Sequence, residues 1–140
     1  DPRPELVADY YRHMAFVLDA EGAKADALDY YRESLRVRRD GGLFDASLFA
    51  AVSYANALIE AGRADEAGEF ITDALSIAVS IGSPVGQMRA RATRAKKLEA
   101  LGEPEAARAE YEEVRALAET VASDSYRDWA DAAIARLTPE

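Results

Sequence analysis

Apolar residues in this chain recur at intervals of three and four positions, which is the spacing of one face of an α-helix. The run Leu48, Val52, Ala55 and Ile59 is an example. No stretch of useful length alternates between apolar and polar residues, as a half-buried strand would. We therefore expect an all-α fold, with helices over about residues 4–21, 24–39, 44–61, 64–80, 84–101, 104–121 and 124–137.

Four sets of residues repeat along the chain at intervals of forty positions. They are Ala15/Ala55/Ala95, Leu18/Leu58/Leu98, Gly22/Gly62/Gly102 and Ala27/Ala67/Ala107. A fixed period in this range indicates a stacked array of repeats. Each repeat is predicted to be two helices joined at the recurring glycine, which can adopt the left-handed conformation that ends a helix. The alanines allow the paired helices to cross closely. The repeats cover about residues 4–43, 44–83 and 84–122, and the last helix, 124–137, is expected to cap the array.

Composition limits the classes of function. The length of 140 residues suits one domain, here residues 1–140. The formal net charge of −9 argues against direct binding to nucleic acid, which needs a basic face. No apolar run approaches the roughly 20 residues that cross a bilayer, so no membrane partner is expected. The chain starts at Asp1 without an initiator Met or a signal-peptide pattern, and we interpret this start as the cut edge of a longer or processed protein in the cytoplasm.

Catalytic and metal-binding patterns are not found in the sequence. There is no cysteine, which excludes disulfides and thiolate metal sites, and His13 is the single histidine. Gly82 and Gly86 lack the lysine and the preceding strand of a phosphate-binding loop. Because no set of nucleophile, base and orienting group is evident, we expect a non-enzymatic protein without metal or cofactor.

The repeating columns resemble the tetratricopeptide repeat family. The matching residues are Ala15-Leu18-Gly22-Ala27-Tyr31-Ser34, Ala55-Leu58-Gly62-Ala67-Ile71-Ala74 and Ala95-Leu98-Gly102-Ala107-Tyr111-Val114. The common unit of that family is about six residues shorter, and the forty-residue variety is similar to repeats of bacterial regulators and scaffold proteins. The resemblance implies a right-handed α-α superhelix of three hairpins, with a peptide or protein segment bound along the concave face of the first helices. Arg91 and Arg94 depart from the family pattern, which places apolar residues there.

An acid-free window from Ala74 to Leu98 interrupts this acidic chain, and it contains a cluster of cations. The cations are Arg89, Arg91, Arg94, Lys96 and Lys97. They could pair with carboxylates of neighbouring helices, for which Glu66, Glu69, Glu105 and Glu110 are candidates. Alternatively, the helical spacing puts Arg89 and Lys96 on one face of their helix, with Arg91 and Arg94 toward the packed side. The family resemblance implies that the face with Arg89 and Lys96 lines the groove.

Projecting the first helices onto this groove face gives eight candidate binding residues. The apolar ones are Phe16, Phe49, Val52 and Ile59, and the polar ones are Arg12, Asn56, Arg89 and Lys96. For Phe16 and Phe49, packing in the core is the alternative. By the family resemblance, Arg12 and Arg89 fall on positions of a two-carboxylate clamp, in which Phe16, Ser53 and Thr93 replace other members.

Two functions follow from these expectations. The first is a protein- or peptide-binding module within a larger protein, whose partner segment could be acidic. The alternative is a regulatory or self-association domain of a bacterial multidomain transcription or signalling regulator, acting as a homodimer or through contact with its other domains. Sensing of a small molecule between the helices is a third class, for which the sequence offers no convergent polar set.

Overall fold

The computed structural model describes residues 3–140, so Asp1 and Pro2 of the expected domain lie outside the described residues. Residues 3–140 form seven α-helices, one short 3-10 helix at Ala64–Glu66, and no strand. The helices are α1 (Pro4–Ala20), α2 (Lys24–Asp40), α3 (Phe44–Glu60), α4 (Gly68–Ser80), α5 (Pro84–Ala100), α6 (Pro104–Thr120) and α7 (Asp124–Leu137). The prediction of an all-α fold is confirmed, and the helix ends agree with those expected to within one residue at all but one place.

The exception is the start of the second helix of the second repeat, which was expected at residue 64. Residues 64–66 form a 3-10 turn instead, and α4 begins at Gly68. Side chains three residues apart eclipse one another in a 3-10 turn. The Arg63 guanidinium uses this geometry to donate two hydrogen bonds to the Glu66 carboxylate, at 2.6 and 2.7 Å. Gly68 has a low helix propensity, so it gives the α-helix little support for an earlier start.

The turns between the α-helices share one conformation. The residue with positive φ is Gly22, Gly42, Gly62, Gly82, Gly102 or Ala122, with φ between 56° and 83°. In the turn after α5, the amide of Glu103 donates to the carbonyl of Leu98 at 2.9 Å, which is the long hydrogen bond of a Schellman motif. The left-handed conformation predicted for Gly22, Gly62 and Gly102 is confirmed. The turn geometry therefore recurs every twenty residues, twice as often as the repeating columns.

The repeated columns occupy similar environments in all three hairpins. The alanines of the first helices, Ala15, Ala55 and Ala95, have no exposed surface. The alanines of the second helices are at most 2% exposed, and the larger residues beside them are also buried; these are Ala27, Ala67, Ala107, Tyr31, Ile71 and Tyr111. The leucine column is less uniform, because Leu58 is buried while Leu18 and Leu98 are only partly buried. The alanine columns and the residues beside the second alanines therefore follow the forty-residue period in their burial.

Each α-helix packs against its neighbours in sequence, and α3 also contacts α5 directly. The buried residues form two clusters. The first lies among α1 to α5 and contains Leu48, Leu58 and Ile71, and the second joins α5, α6 and α7 around Met88 and Val114. These contacts agree with stacked helical hairpins, and the right-handed sense of the superhelix stays a prediction.

Candidate functional site

Three adjoining cavities lie along α1, α3, α5 and α7. They adjoin because they share lining residues: Arg89 and Phe16 each border two of them, and so does Asn56. Seven of the eight candidate residues line these cavities: Arg12, Phe16, Phe49, Val52, Asn56, Arg89 and Lys96. We call the surface formed by these seven residues the inner face. The eighth candidate, Ile59, lines none of the three cavities and packs against the first buried cluster.

The N-terminal cavity of the inner face is about 340 Å³ in volume. Its lining includes three arginines, two phenylalanines and one carboxylate: Arg12, Arg38, Arg89, Phe16, Phe49 and Asp9. Phe16 is 50% exposed and Phe49 is 40% exposed, so neither ring is a core residue. An arginine covers each ring: the Cζ atom of Arg12 lies 5.7 Å from the ring centroid of Phe16, and that of Arg89 lies 5.2 Å from the centroid of Phe49. Such cation-π contacts orient the guanidinium while its N–H groups stay available to an acceptor.

Arg38 is a member of this cavity that the sequence analysis did not single out. It lies at the C-terminal end of α2, yet it is only 8% exposed. Its guanidinium donates to Asp9 Oδ1 at 3.0 Å and to the hydroxyl of Ser34, which in turn donates to the carbonyl of Ala8 at 3.1 Å. Burial lowers the pKa of Arg38, and the carboxylate of Asp9 opposes that shift. The sequence did contain a signal for this burial. Arg38 follows by four residues, and so shares a helix face with, Ser34, which is one of the residues that match the repeat family.

The C-terminal cavity, about 310 Å³ in volume, is lined by Val52, Asn56, Arg89, Lys96, Tyr126 and Trp129, among others. The two aromatic residues come from α7, which the sequence analysis treated only as a cap. Trp129 is 36% exposed, and its ring makes edge contacts with those of Tyr111 and Tyr126, at centroid distances of 5.0 and 6.1 Å. The forty-residue period could have predicted Trp129 as a member of this face, because it lies forty residues after Arg89 and eighty residues after Phe49.

Four of the five cations of α5 divide into two groups, and the fifth, Lys97, has its ammonium beside Gly68. Arg91 and Arg94 contact the carboxylate of Glu110 on α6, at 3.2 and 3.7 Å, as the paired alternative predicted. These contacts also explain how α5 packs with arginines at positions where the family pattern has apolar residues. Arg89 and Lys96 lie on the opposite side, and neither forms an ion pair with a residue between 3 and 140. The acid-free window therefore leaves two cations on the inner face without a carboxylate partner among the described residues.

Lys96 has the more unusual environment of these two cations. Its side chain is partly buried in the C-terminal cavity, and burial lowers the pKa of its ammonium group. Attraction to Glu60 opposes the shift but does not outweigh it. Burial disfavours a charge that has no close counter-ion, so an anion placed in this cavity would be stabilised.

Other chemistry finds little support in the part of the chain that the structure describes. No three His, Asp or Glu side chains there are grouped so that they could hold a metal ion. His13 is exposed on α1. None of the helices there combines the length and the apolar character that crossing a bilayer requires.

No model of a protein family matches the sequence, and no curated protein is significantly similar to it.

Proposed function

We propose that the chain is a non-enzymatic, tetratricopeptide-type module of a larger cytoplasmic protein, and that it binds a protein or peptide segment along its inner face. The observation that supports this proposal is the continuity of the three cavities, which bring residues of α1, α3 and α5 to one surface. Stacked repeats commonly use such an extended surface to hold a partner.

The composition of the inner face suits an acidic segment with apolar side chains. Phe16 and Phe49 are half-exposed rings whose burial against a partner would supply affinity. Arg12 and Arg89 are held over those rings, where they can donate to carboxylates or backbone carbonyls. Charge complementarity of this kind contributes to specificity and to the rate of association.

A peptide-display library tests this proposal without a known partner. The library is selected against the wild-type chain, and enriched peptides are measured on the double variant Arg89→Glu/Lys96→Glu. The matched control is Arg32→Glu/Arg108→Glu, which changes the net charge equally on the second helices α2 and α6. We expect the first variant to weaken binding at least about tenfold and the control to leave it unchanged.

Two results would contradict the proposal: no peptide is enriched on the wild-type chain, or both double variants weaken binding equally. Circular dichroism melting of each variant separates loss of binding from loss of fold. If Arg89→Glu/Lys96→Glu unfolds while its folded fraction still binds normally, these two residues support packing and not recognition.

Self-association is the second candidate function, and an exposed stripe on α1 favours it. Leu6, Tyr10 and Val17 lie on one side of α1 and are 63%, 57% and 37% exposed, with the exposed His13 between Tyr10 and Val17. Two repeats further along the chain, in α5, the equivalent residues are Gly86 and Ala90. Both of these are buried. An apolar helix face of this kind can pack against a second copy of the chain or against another domain.

Light scattering over a range of concentrations tests this second candidate. We expect a dimer that the Leu6→Lys variant converts to a monomer, because a charge in the stripe would be buried without a partner. Val79→Lys is the matched control, since Val79 is an equally exposed apolar residue on α4. A wild-type chain that stays monomeric at every concentration would exclude self-association through α1.

A further inference from the structure

The C-terminal cavity is a small space in which cationic, amide and aromatic side chains meet. Its volume of about 310 Å³ lies at the lower end of the range for small-molecule sites. It lies between three helices, α3, α5 and α7, is open to solvent, and brings charged, amide and aromatic groups close together. A ligand that fills it must therefore present its polar and apolar parts close together.

The polar side of the cavity is suited to an anion. Arg89 and Lys96 line it, and no Asp or Glu among the described residues does. This is unusual in a chain whose net charge is −9. Lys96 is partly buried without an ion pair, so its ammonium lacks the counter-charge that a buried cation normally has.

Asn56 adds neutral donors beside these cations. Its side-chain oxygen lies 3.2 Å from Thr93 Oγ1, whose single proton is shared between this oxygen and the carbonyl of Arg89 at 3.1 Å. The amide nitrogen makes no hydrogen bond with another described residue, so both of its N–H groups are available. Two cations and one amide donor form a set that can satisfy the two oxygens of a carboxylate.

The opposite side of the cavity is apolar. Val52 comes from α3, and the rings of Tyr126 and Trp129 come from α7. The Trp129 ring is held by its edge contacts with Tyr111 and Tyr126, so this wall is formed before any ligand arrives. A partly exposed indole in a preformed cavity favours contact with an apolar or aromatic group.

We propose that the C-terminal cavity is a binding site for a small organic acid, in which a carboxylate is carried on one apolar or aromatic group. Lys96, Arg89 and Asn56 hold the carboxylate, while Trp129, Tyr126 and Val52 cover the apolar group. This assignment goes beyond the binding of a protein segment, because the whole ligand fits between α3, α5 and α7. The last residue of a peptide carries the same two groups, so the experiment must separate the free acid from a chain end.

The test uses 3-phenylpropionate as the probe and Trp129, the single tryptophan of the chain, as the reporter. We expect saturable changes in tryptophan fluorescence with a Kd of about 1 mM, as for a ligand of this size. The uncharged 3-phenylpropionamide, which has the same shape, should bind at least about tenfold more weakly because it lacks the charge. Equal binding of the acid and the amide would overturn the proposal.

Variants of two neighbouring lysines, Lys96 and Lys97, test whether the carboxylate of the probe lies beside Lys96. Lys96→Met removes the charge and keeps a long apolar side chain, and it should weaken binding of 3-phenylpropionate at least about tenfold. Lys97→Met is the matched control, because the Lys97 ammonium lies beside Gly68 and not in the cavity. Equal affinity of the wild-type chain and Lys96→Met would refute the assignment. If Lys96→Met does not fold, the comparison of acid with amide on the wild-type chain still decides.

The free tripeptide Ala-Ala-Phe distinguishes the two sources of the ligand. Tighter binding of 3-phenylpropionate supports a free organic acid, and tighter binding of the tripeptide overturns it in favour of a chain end. The two experiments share Arg89 and Lys96, but their outcomes are distinguishable because each measures the binding of a different molecule to the wild-type chain. If the library enriches no peptide, the proposed function fails, but 3-phenylpropionate can still bind to the C-terminal cavity.

Discussion

Ala122 stands in a turn where the five equivalent turns have glycine, and its backbone has a φ of 56°. The residue is exposed, so no packing contact forces alanine there. Its amide donates to the carbonyl of Glu119 at 3.3 Å, and the next amide, of Ser123, donates to that of Ala118 at 2.8 Å. The turn is therefore the same Schellman motif as the others, formed by a residue that is poorly suited to it.

The Ala122→Gly variant should stabilise the fold. The left-handed conformation costs an L-residue roughly 1–2 kcal/mol, and glycine avoids this cost. Glycine also loses about 0.5–1 kcal/mol more conformational entropy on folding, which offsets part of the gain. The net gain is about 0.5–1 kcal/mol. For a chain of 140 residues the entropy of unfolding is about 0.3 kcal/mol/K, so the melting temperature should rise by about 2–3 °C.

Thermal and urea unfolding, followed by circular dichroism, measure this change against two controls. Ala132→Gly, at an exposed position inside α7, should lower the free energy of unfolding by about 1 kcal/mol through helix propensity. Gly102→Ala should also be destabilising by about 1 kcal/mol, and purely through backbone strain, because no other atom lies within 4 Å of the added Cβ. The reasoning is refuted if Ala122→Gly destabilises the chain as Ala132→Gly does.

Two further predictions concern the core. Gly86→Ala should lower the free energy of unfolding by about 1 kcal/mol, measured by urea unfolding. The new Cβ would lie 2.8 Å from Cδ2 of the buried Leu48 and 3.0 Å from the Cβ of Ala78, and this overlap outweighs the higher helix propensity of alanine. An increase in stability would contradict the tight packing around Gly86. Burial, together with a hydrogen bond to Glu99, raises the pKa of Tyr111 to about 12. The folded pKa lies above the unfolded value of about 10. The contribution of Tyr111 to the free energy of unfolding is therefore complete below pH 10 and is lost as the pH rises toward 12. Unfolding at pH 8 and pH 11 should show that this alkaline loss is smaller in Tyr111→Phe, and an equal loss in both proteins would refute the assignment.

The sequence was sufficient for the helices, the repeats and their buried columns. Alanine at positions 15, 55 and 95 and glycine at the turns carry local information, since each residue type is suited to one local geometry. The projection of Phe16 and Phe49 onto an exposed face depended only on the helical period, and that period is regular here. These features could be predicted because they follow from spacing within a single helix.

The missing features depend on contacts between helices. Arg38 is at the end of α2, where a cation normally remains in solvent, and its burial follows from the positions of Asp9 and Ser34 on two helices. The C-terminal cavity likewise requires α7 to bring Trp129 within reach of Lys96. Because α7 was expected only to cap the array, its contribution to the cavity was not predicted. The forty-residue spacing does extend to α7, since Trp129 follows Arg89 by forty residues. The sequence indicated the polar residues Asn56, Arg89 and Lys96, but the aromatic wall that faces them exists only after α7 has packed beside α3 and α5.

The two buried clusters meet at α5, where Ala90 belongs to the first and Ala92 and Ala95 belong to the second. In a linear array each hairpin is stabilised only by its neighbours, so the ends can fray while the centre stays folded. The C-terminal end would then exchange its amide hydrogens faster than α3 and α5. A molecule bound between α3, α5 and α7 would hold the last helix against the centre, so that occupancy of the cavity would control how often this end of the array opens.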